Sequence, residues 1–93
     1  MIKIEENDSK GRAFVSNKEG KTLAEMTFSK AGEELIIIDH TEVADELRGK
    51  SVGKQLLNKL VEMARAKNIK IMPLCPFAKS VFDKDESIRD VLN

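Results

Sequence analysis

The chain contains no tryptophan, no tyrosine, one cysteine, one histidine and two prolines among its 93 residues. Each shortage excludes something. A lone cysteine, Cys75, cannot close an internal disulfide or build a multi-cysteine zinc site, and the lone histidine, His40, rules out a His-rich metal centre. Without Tyr there is no phenolic general acid, and without Tyr or Trp two common base-stacking side chains are gone. No apolar run approaches the roughly 18–20 residues that span a bilayer, so a membrane partner is not expected. Met1 to Asn7 lacks the basic start and apolar stretch of a secretory leader, which makes a cytoplasmic protein the expectation. At this length one domain over residues 1–93 is expected, with a modest core.

Sixteen basic and sixteen acidic side chains cancel. That balance argues against a nucleic-acid partner, as does the lack of stacking aromatics in the basic segment. The charge is unevenly spread, however. Residues 1–44 hold six basic and nine acidic side chains, residues 45–70 seven and three, and residues 71–93 three and four. The middle third is set to attract an anion. The plainer alternative is a solvated helix face.

The hydrophobic pattern divides the chain into elements. Ile2 to Glu5 alternates as a short strand, and Asn7 to Gly11 reads as a turn. Arg12 to Ser16 is a second strand, and Asn17 to Lys21 supplies a hairpin turn. In Thr22 to Ser29, Ala24, Met26 and Phe28 share one face of a third strand. Ala31-Gly32 turns the chain into Leu35 to Val43, whose Leu-Ile-Ile-Ile run reads as buried on both faces. Val52, Leu56, Leu57, Leu60, Val61 and Ala64 then follow helical spacing over Ser51 to Lys67, with Asn68 as the C-cap. Ile69 to Leu74 is a fifth strand. Pro76 to Phe82 is a second helix, and Ser87 to Leu92 a terminal helical turn. The result is an α+β fold: an antiparallel meander of four strands, a β-α-β unit and a short C-terminal helix. The crossover should be right-handed, which puts the fifth strand parallel to the fourth. A ligand then belongs at the carboxyl ends of those strands.

One segment sits at that place. Arg48-Gly49-Lys50-Ser51-Val52-Gly53-Lys54 follows a strand and opens an amphipathic helix. The first N–H groups of a helix lack intrahelical partners, and its dipole makes that end positive. Small residues let phosphate oxygens reach the backbone, and Arg48, Lys50 and Lys54 add charge. These features fit a pyrophosphate cradle; a capped helix with basic residues for solubility fits them too. A Walker A loop needs four residues between its glycines, whereas Gly49 and Gly53 have three, and Gln55 stands where Ser or Thr should. A Rossmann fingerprint, with three glycines near the first strand, is also absent.

The segment resembles motif A of the GNAT acetyltransferase superfamily, which reads Gln or Arg, two residues, Gly, one residue, then Gly or Ala. Arg48 fills the first position, Gly53 the last, and Ser51 replaces the middle Gly. Downstream, many GNAT proteins carry Asn, two residues, Ala, three residues, then Tyr; Cys75, Ala78 and Phe82 hold those positions. The resemblance covers nearly the whole chain and implies a minimal GNAT fold, without the usual two N-terminal helices and last two strands. It implies acetyl-CoA (coenzyme A) as cosubstrate and an amine as acceptor. The coenzyme pyrophosphate would lie on Arg48, Gly49, Lys50, Ser51, Val52, Gly53 and Lys54. The pantetheine arm would run along Thr41, Glu42 and Val43. The fourth and fifth strands splay in this fold, and Pro73, lacking an N–H, fits that gap. The missing elements leave the acceptor open. They also leave open an acetyl-CoA-binding module without turnover.

Three residues are candidates for chemistry. Pro76 suits the first helical position, which makes Cys75 the N-cap. A helix N-terminus favours thiolate over thiol, so Cys75 could accept an acetyl group and pass it on. Its alternative role is to close a gap as a small apolar residue. Alternation puts His40 and Glu42 on the same side of the fourth strand as Ile36 and Ile38. There His40 could act as a base or orient Cys75, or be a hydrogen-bonded core residue. Glu42 is a second candidate base, or an exposed strand-end carboxylate.

Overall fold

The computed structural model describes all residues from Met1 to Asn93. Five strands form one sheet in sequence order: β1 (Lys3–Glu6), β2 (Lys10–Ser16), β3 (Thr22–Lys30), β4 (Leu35–Val43) and β5 (Lys70–Pro73). Neighbours are antiparallel except β4 and β5, which run parallel as the crossover requires. Asparagine side chains shape the first two turns. Asn7 Oδ1 accepts from the N–H groups of Ser9 and Lys10, and Asn17 Oδ1 from those of Glu19 and Lys21.

Helices α1 (Val52–Lys67) and α2 (Pro76–Lys84) carry the connections on either side of β5. A short 3-10 turn, Asp45–Leu47, precedes α1, and a 3-10 segment, Glu86–Val91, ends the chain. Leu56, Leu57, Leu60, Val61 and Ala64 are buried, as the helical spacing predicts. They meet Ala13, Ala24, Met26, Phe28, Ile36 and Ile38 from the sheet, and Ala78 and Phe82 from α2, in one core. Asn68 ends α1 in the left-handed conformation, its N–H bonded to the carbonyls of Ala64 and Arg65. No helix is long and apolar enough to cross a membrane.

The Leu35–Ile38 run departs from expectation. Ile36 and Ile38 are buried, but Leu35 and Ile37 are only half-buried. Core residues of both helices meet only one set of alternating strand side chains, so the other face of the sheet is not roofed by helices. That outer face buries Phe14 by another means. The Arg12 guanidinium lies 3.9 Å from the Phe14 ring centroid. It is held there by Glu5 and Glu25, each 3.1 Å away.

Candidate coenzyme site

The site begins where β4 outruns its parallel neighbour. Pairing of β4 with β5 stops at Ile38 and Pro73. The Ile38 carbonyl then accepts from both Leu74 and Cys75 N–H at 3.1 Å as the chain turns into α2. Beyond that point β4 continues to Val43 with one edge free. Ala44 N–H donates to the Leu23 carbonyl at 2.7 Å. By the alternation of an antiparallel ladder, the N–H and C=O of Val43 and Thr41 therefore turn to the free edge.

A second set of free donors lies close by. The N–H groups of Gly49 to Lys54 precede the first hydrogen bond of α1, from Gln55 N–H to the Ser51 carbonyl at 3.1 Å, and take no partner within the chain. The loop reaches this shape through two left-handed residues. Gly49 has φ +81° and Ser51 φ +58°. A Cβ at Gly49 would meet nothing within 4 Å, so glycine is needed there for its backbone alone. Ser51 pays the steric cost of a side chain in that conformation, and its hydroxyl makes no capping bond in return.

Both donor sets open onto one cleft of about 340 Å³. Thr41 and Val43 line one wall, Arg48 to Lys54 (without Lys50) the loop side, and Phe77 and Val81 of α2 the third. The charges differ in freedom. Arg48 Nε bonds Asp45 Oδ1 at 3.1 Å, with both side chains exposed. Lys50 and Lys54 are in no ion pair.

A family model described as GCN5-related N-acetyl-transferase matches residues 12–91. The chain belongs to this family. A GCN5-like protein of Staphylococcus aureus, solved in solution by NMR, is 41% identical and superposes with a TM-score of 0.76, covering 98% of this chain and 87% of its own. Two more distant structures share the GNAT fold. One is a ribosomal-protein-alanine N-acetyltransferase from Brucella melitensis biovar Abortus 2308, with 17% identity, TM-score 0.68, and 84% and 62% of the two chains covered. The other is AAC(6′)-Iy in complex with a bisubstrate analogue containing CoA, with 12% identity, TM-score 0.55, and 88% and 62% covered. No curated protein matches by sequence.

Of the residues the GNAT resemblance singled out, the cleft gathers Thr41, Val43, Arg48, Gly49, Ser51, Val52, Gly53 and Lys54. Lys50 stays outside the lining, its carbonyl accepting from Gln55 Nε2 at 3.1 Å. Gly53 also lies against α2. A Cβ there would meet the far end of the Phe77 ring at 2.8 Å, so any larger residue obliges that ring to shift.

The placement of His40 and Glu42 corrects the alternation argument. Thr27 faces His40 while Phe28 faces Ile38, so Asp39 is an extra, unpaired residue. This β-bulge inverts the parity of everything after it. Thr41 and Val43 now turn toward the helices, and His40 and Glu42 face outward. There His40 Nε2 and Glu42 Oε1 pair at 2.9 Å, with both side chains more than half exposed. His40 is neither a core residue nor the residue that orients Cys75. Thr41 is the residue that meets Cys75, its Oγ1 standing 3.2 Å from the Cys75 sulfur. Cys75 is the N-cap of α2, as Pro76 implies, but it is only 5% exposed. Phe82, at the family's Tyr position, is buried in the core. Sequence reasoning missed the Thr41–Cys75 contact and Phe77. A bulge carries no reliable sequence mark, and Phe77 looks like any aromatic on a helix face.

Proposed function

We propose that this chain binds acetyl-CoA and transfers the acetyl group to an amine. The observation that carries this reading is the meeting of two free donor sets in one cleft: the N–H row from Gly49 to Lys54, and the open β4 edge at Thr41 and Val43. The row suits a pyrophosphate, aided by the dipole of α1. The open edge suits the amide groups of pantetheine, which can pair with it as an added strand would. In the transfer, the amine nitrogen attacks the thioester carbonyl, the C–S bond breaks and CoA leaves as a thiolate. The proton shed by the amine needs a base. The His40–Glu42 pair stands outward at the same stretch of β4. Glu42 also lines a hollow of about 460 Å³ that shares Thr41, Val43 and Arg48 with the cleft. We assign the base to that pair and the approach of the amine to that hollow. With Phe82 unable to supply a proton, we assign that role to the Thr41 hydroxyl and the Cys75 thiol, which stand 3.2 Å apart.

The test is a titration of CoA into isotope-labelled protein. Amide signals of Thr41 to Val43 and Gly49 to Lys54 should move first. Shifts confined to other elements refute the site. Turnover of acetyl-CoA with a panel of amines separates the transferase from a binding module, since binding without any turnover supports the module.

A second reading rests on the 3.2 Å contact between Cys75 and a cleft-lining residue. In it the Cys75 sulfur attacks the thioester carbonyl, the CoA thiolate leaves with the thiol proton, and the amine later takes the acetyl group from sulfur. Incubation with acetyl-CoA in the absence of amine should then add one acetyl group to wild type and none to Cys75→Ser. Hydroxylamine should remove it. An unlabelled wild type that still turns over leaves direct transfer.

A further inference from the structure

Three large apolar side chains are exposed: Met1, Leu74 and Phe77. Met1 is the chain terminus. Leu74 and Phe77 flank the turn at Cys75, and Phe77, 39% exposed, lines the coenzyme cleft. An aromatic ring left open inside a concave site is covered when a ligand fills the site. What makes this ring unusual is its other side. The Cζ and Cε2 atoms of Phe77 lie 2.8 and 2.9 Å from the position a Cβ on Gly53 would take. Gly53 and Phe77 are the second residues of α1 and α2. Their contact therefore brings together two helix N-termini, one carrying the phosphate loop and the other capped by Cys75. Two positive dipole ends repel each other, and here they approach where one ring sits on one glycine, with the shared core beneath them.

We propose that Phe77 is a coenzyme-contact residue whose ring forms the apolar floor under the pantetheine arm, and that Gly53 is glycine in order to seat that ring. This rests on the acetyl-CoA reading above. The neighbouring lining residues Val43, Leu47, Val52 and Val81 continue the apolar surface around the ring. An aliphatic arm laid against them removes apolar area from water, whereas a phosphate gains nothing from such a wall. Gly53 has the opposite sensitivity. Its added methyl would press on the free end of a partly exposed ring that lines the cleft, and in this reading the ring yields toward the cleft. Gly53→Ala therefore obstructs the arm through Phe77, while the backbone N–H that Gly53 offers to the phosphate is kept.

The experiment uses two probes, CoA and 3′-phospho-ADP, which keeps the pyrophosphate and lacks the arm. Affinities are measured by calorimetry for wild type, Phe77→Ala, Phe77→Leu, Gly53→Ala and the double variant, with thermal melts alongside. Phe77→Ala should weaken CoA about tenfold and leave 3′-phospho-ADP within twofold, with Phe77→Leu in between. Gly53→Ala retains the Gly53 N–H and should weaken CoA by a larger factor than 3′-phospho-ADP. In the wild-type background its clash should cancel the gain in helix propensity. In the Phe77→Ala background the same change should raise Tm, by less than the interior-helix difference because Gly53 lies in the first turn. Equal loss on both probes overturns the proposal and returns Gly53 to the phosphate. So does the same effect of Gly53→Ala on Tm in both backgrounds. If wild type binds neither probe, the acetyl-CoA reading fails and the arm contact with it; the melts still decide what Gly53 is for.

Discussion

The loop from Gly49 to Lys54 contains an internal contrast that stability measurements can read. Ser51 and Gly49 lie two residues apart, and both are left-handed, at φ +58° and +81°. A non-glycine residue in that region costs about 1–2 kcal/mol. Glycine avoids the cost but loses about 0.5–1 kcal/mol more in conformational entropy on folding. Ser51→Gly should therefore stabilise the protein by about 0.5–1 kcal/mol, since the Ser51 hydroxyl makes no capping bond that could be lost. Gly49→Ala should destabilise by a similar amount for the same reason in reverse. A Cβ at Gly49 meets nothing within 4 Å, so no clash or new contact confuses the comparison. For a chain of this size the pair should move Tm in opposite directions by about 2–8 °C. Urea unfolding should confirm that the midpoint changes and the slope does not. CoA affinity should hold or tighten in Ser51→Gly, because the loop shape is kept and relieved of strain. If Ser51→Gly melts below wild type, or both variants shift the same way, the left-handed conformation of the loop is not what sets its energetics.

Salt should separate the loop cations: Lys54→Ala should flatten the ionic-strength dependence of CoA binding more than Arg48→Ala, because Asp45 already holds Arg48. Equal slopes in a titration series would refute that ranking. Hydrogen bonds from Lys30, then from Lys67, hold the Glu6 carboxyl below its usual value. Its folded-state value is depressed, so its stabilisation is present above the ordinary glutamate value of about 4.3 and is lost as pH falls through the folded one. Urea midpoints measured across the acidic range should fall less steeply in Glu6→Gln than in wild type. In the core, Leu56→Ala removes a fully buried side chain between helix and sheet and should cost about 2–5 kcal/mol, a large share of the total for so small a chain. A midpoint shift equivalent to less than 1 kcal/mol would mean the core closes over the gap.

Much of the architecture was legible in the residues. The strands from Ile2 to Val43 needed only alternation and the Asn and Gly turns between them, and β4 has the predicted bounds, Leu35–Val43. Helix α1 followed from its apolar spacing, its C-terminus from Asn68, and the start of α2 from Pro76. Those are local properties, decided by periodicity, capping and fixed φ within a few residues. The position of the loop that opens α1 was legible as well, because a helix N-terminus after a strand has the same electrostatics in any fold. Three facts belonged to the tertiary structure alone. The bulge at Asp39 exists because β3 and β4 must pair on both sides of it, and it moved His40 and Glu42 to the outer face and Thr41 onto Cys75. The free edge of β4 exists because β5 ends its pairing at Pro73. The smallness of Gly53 answers to a ring twenty-four residues away on another helix. Side-chain parity, strand termination and helix–helix contact are each set by a partner distant in the chain. No window of neighbouring residues contains that partner.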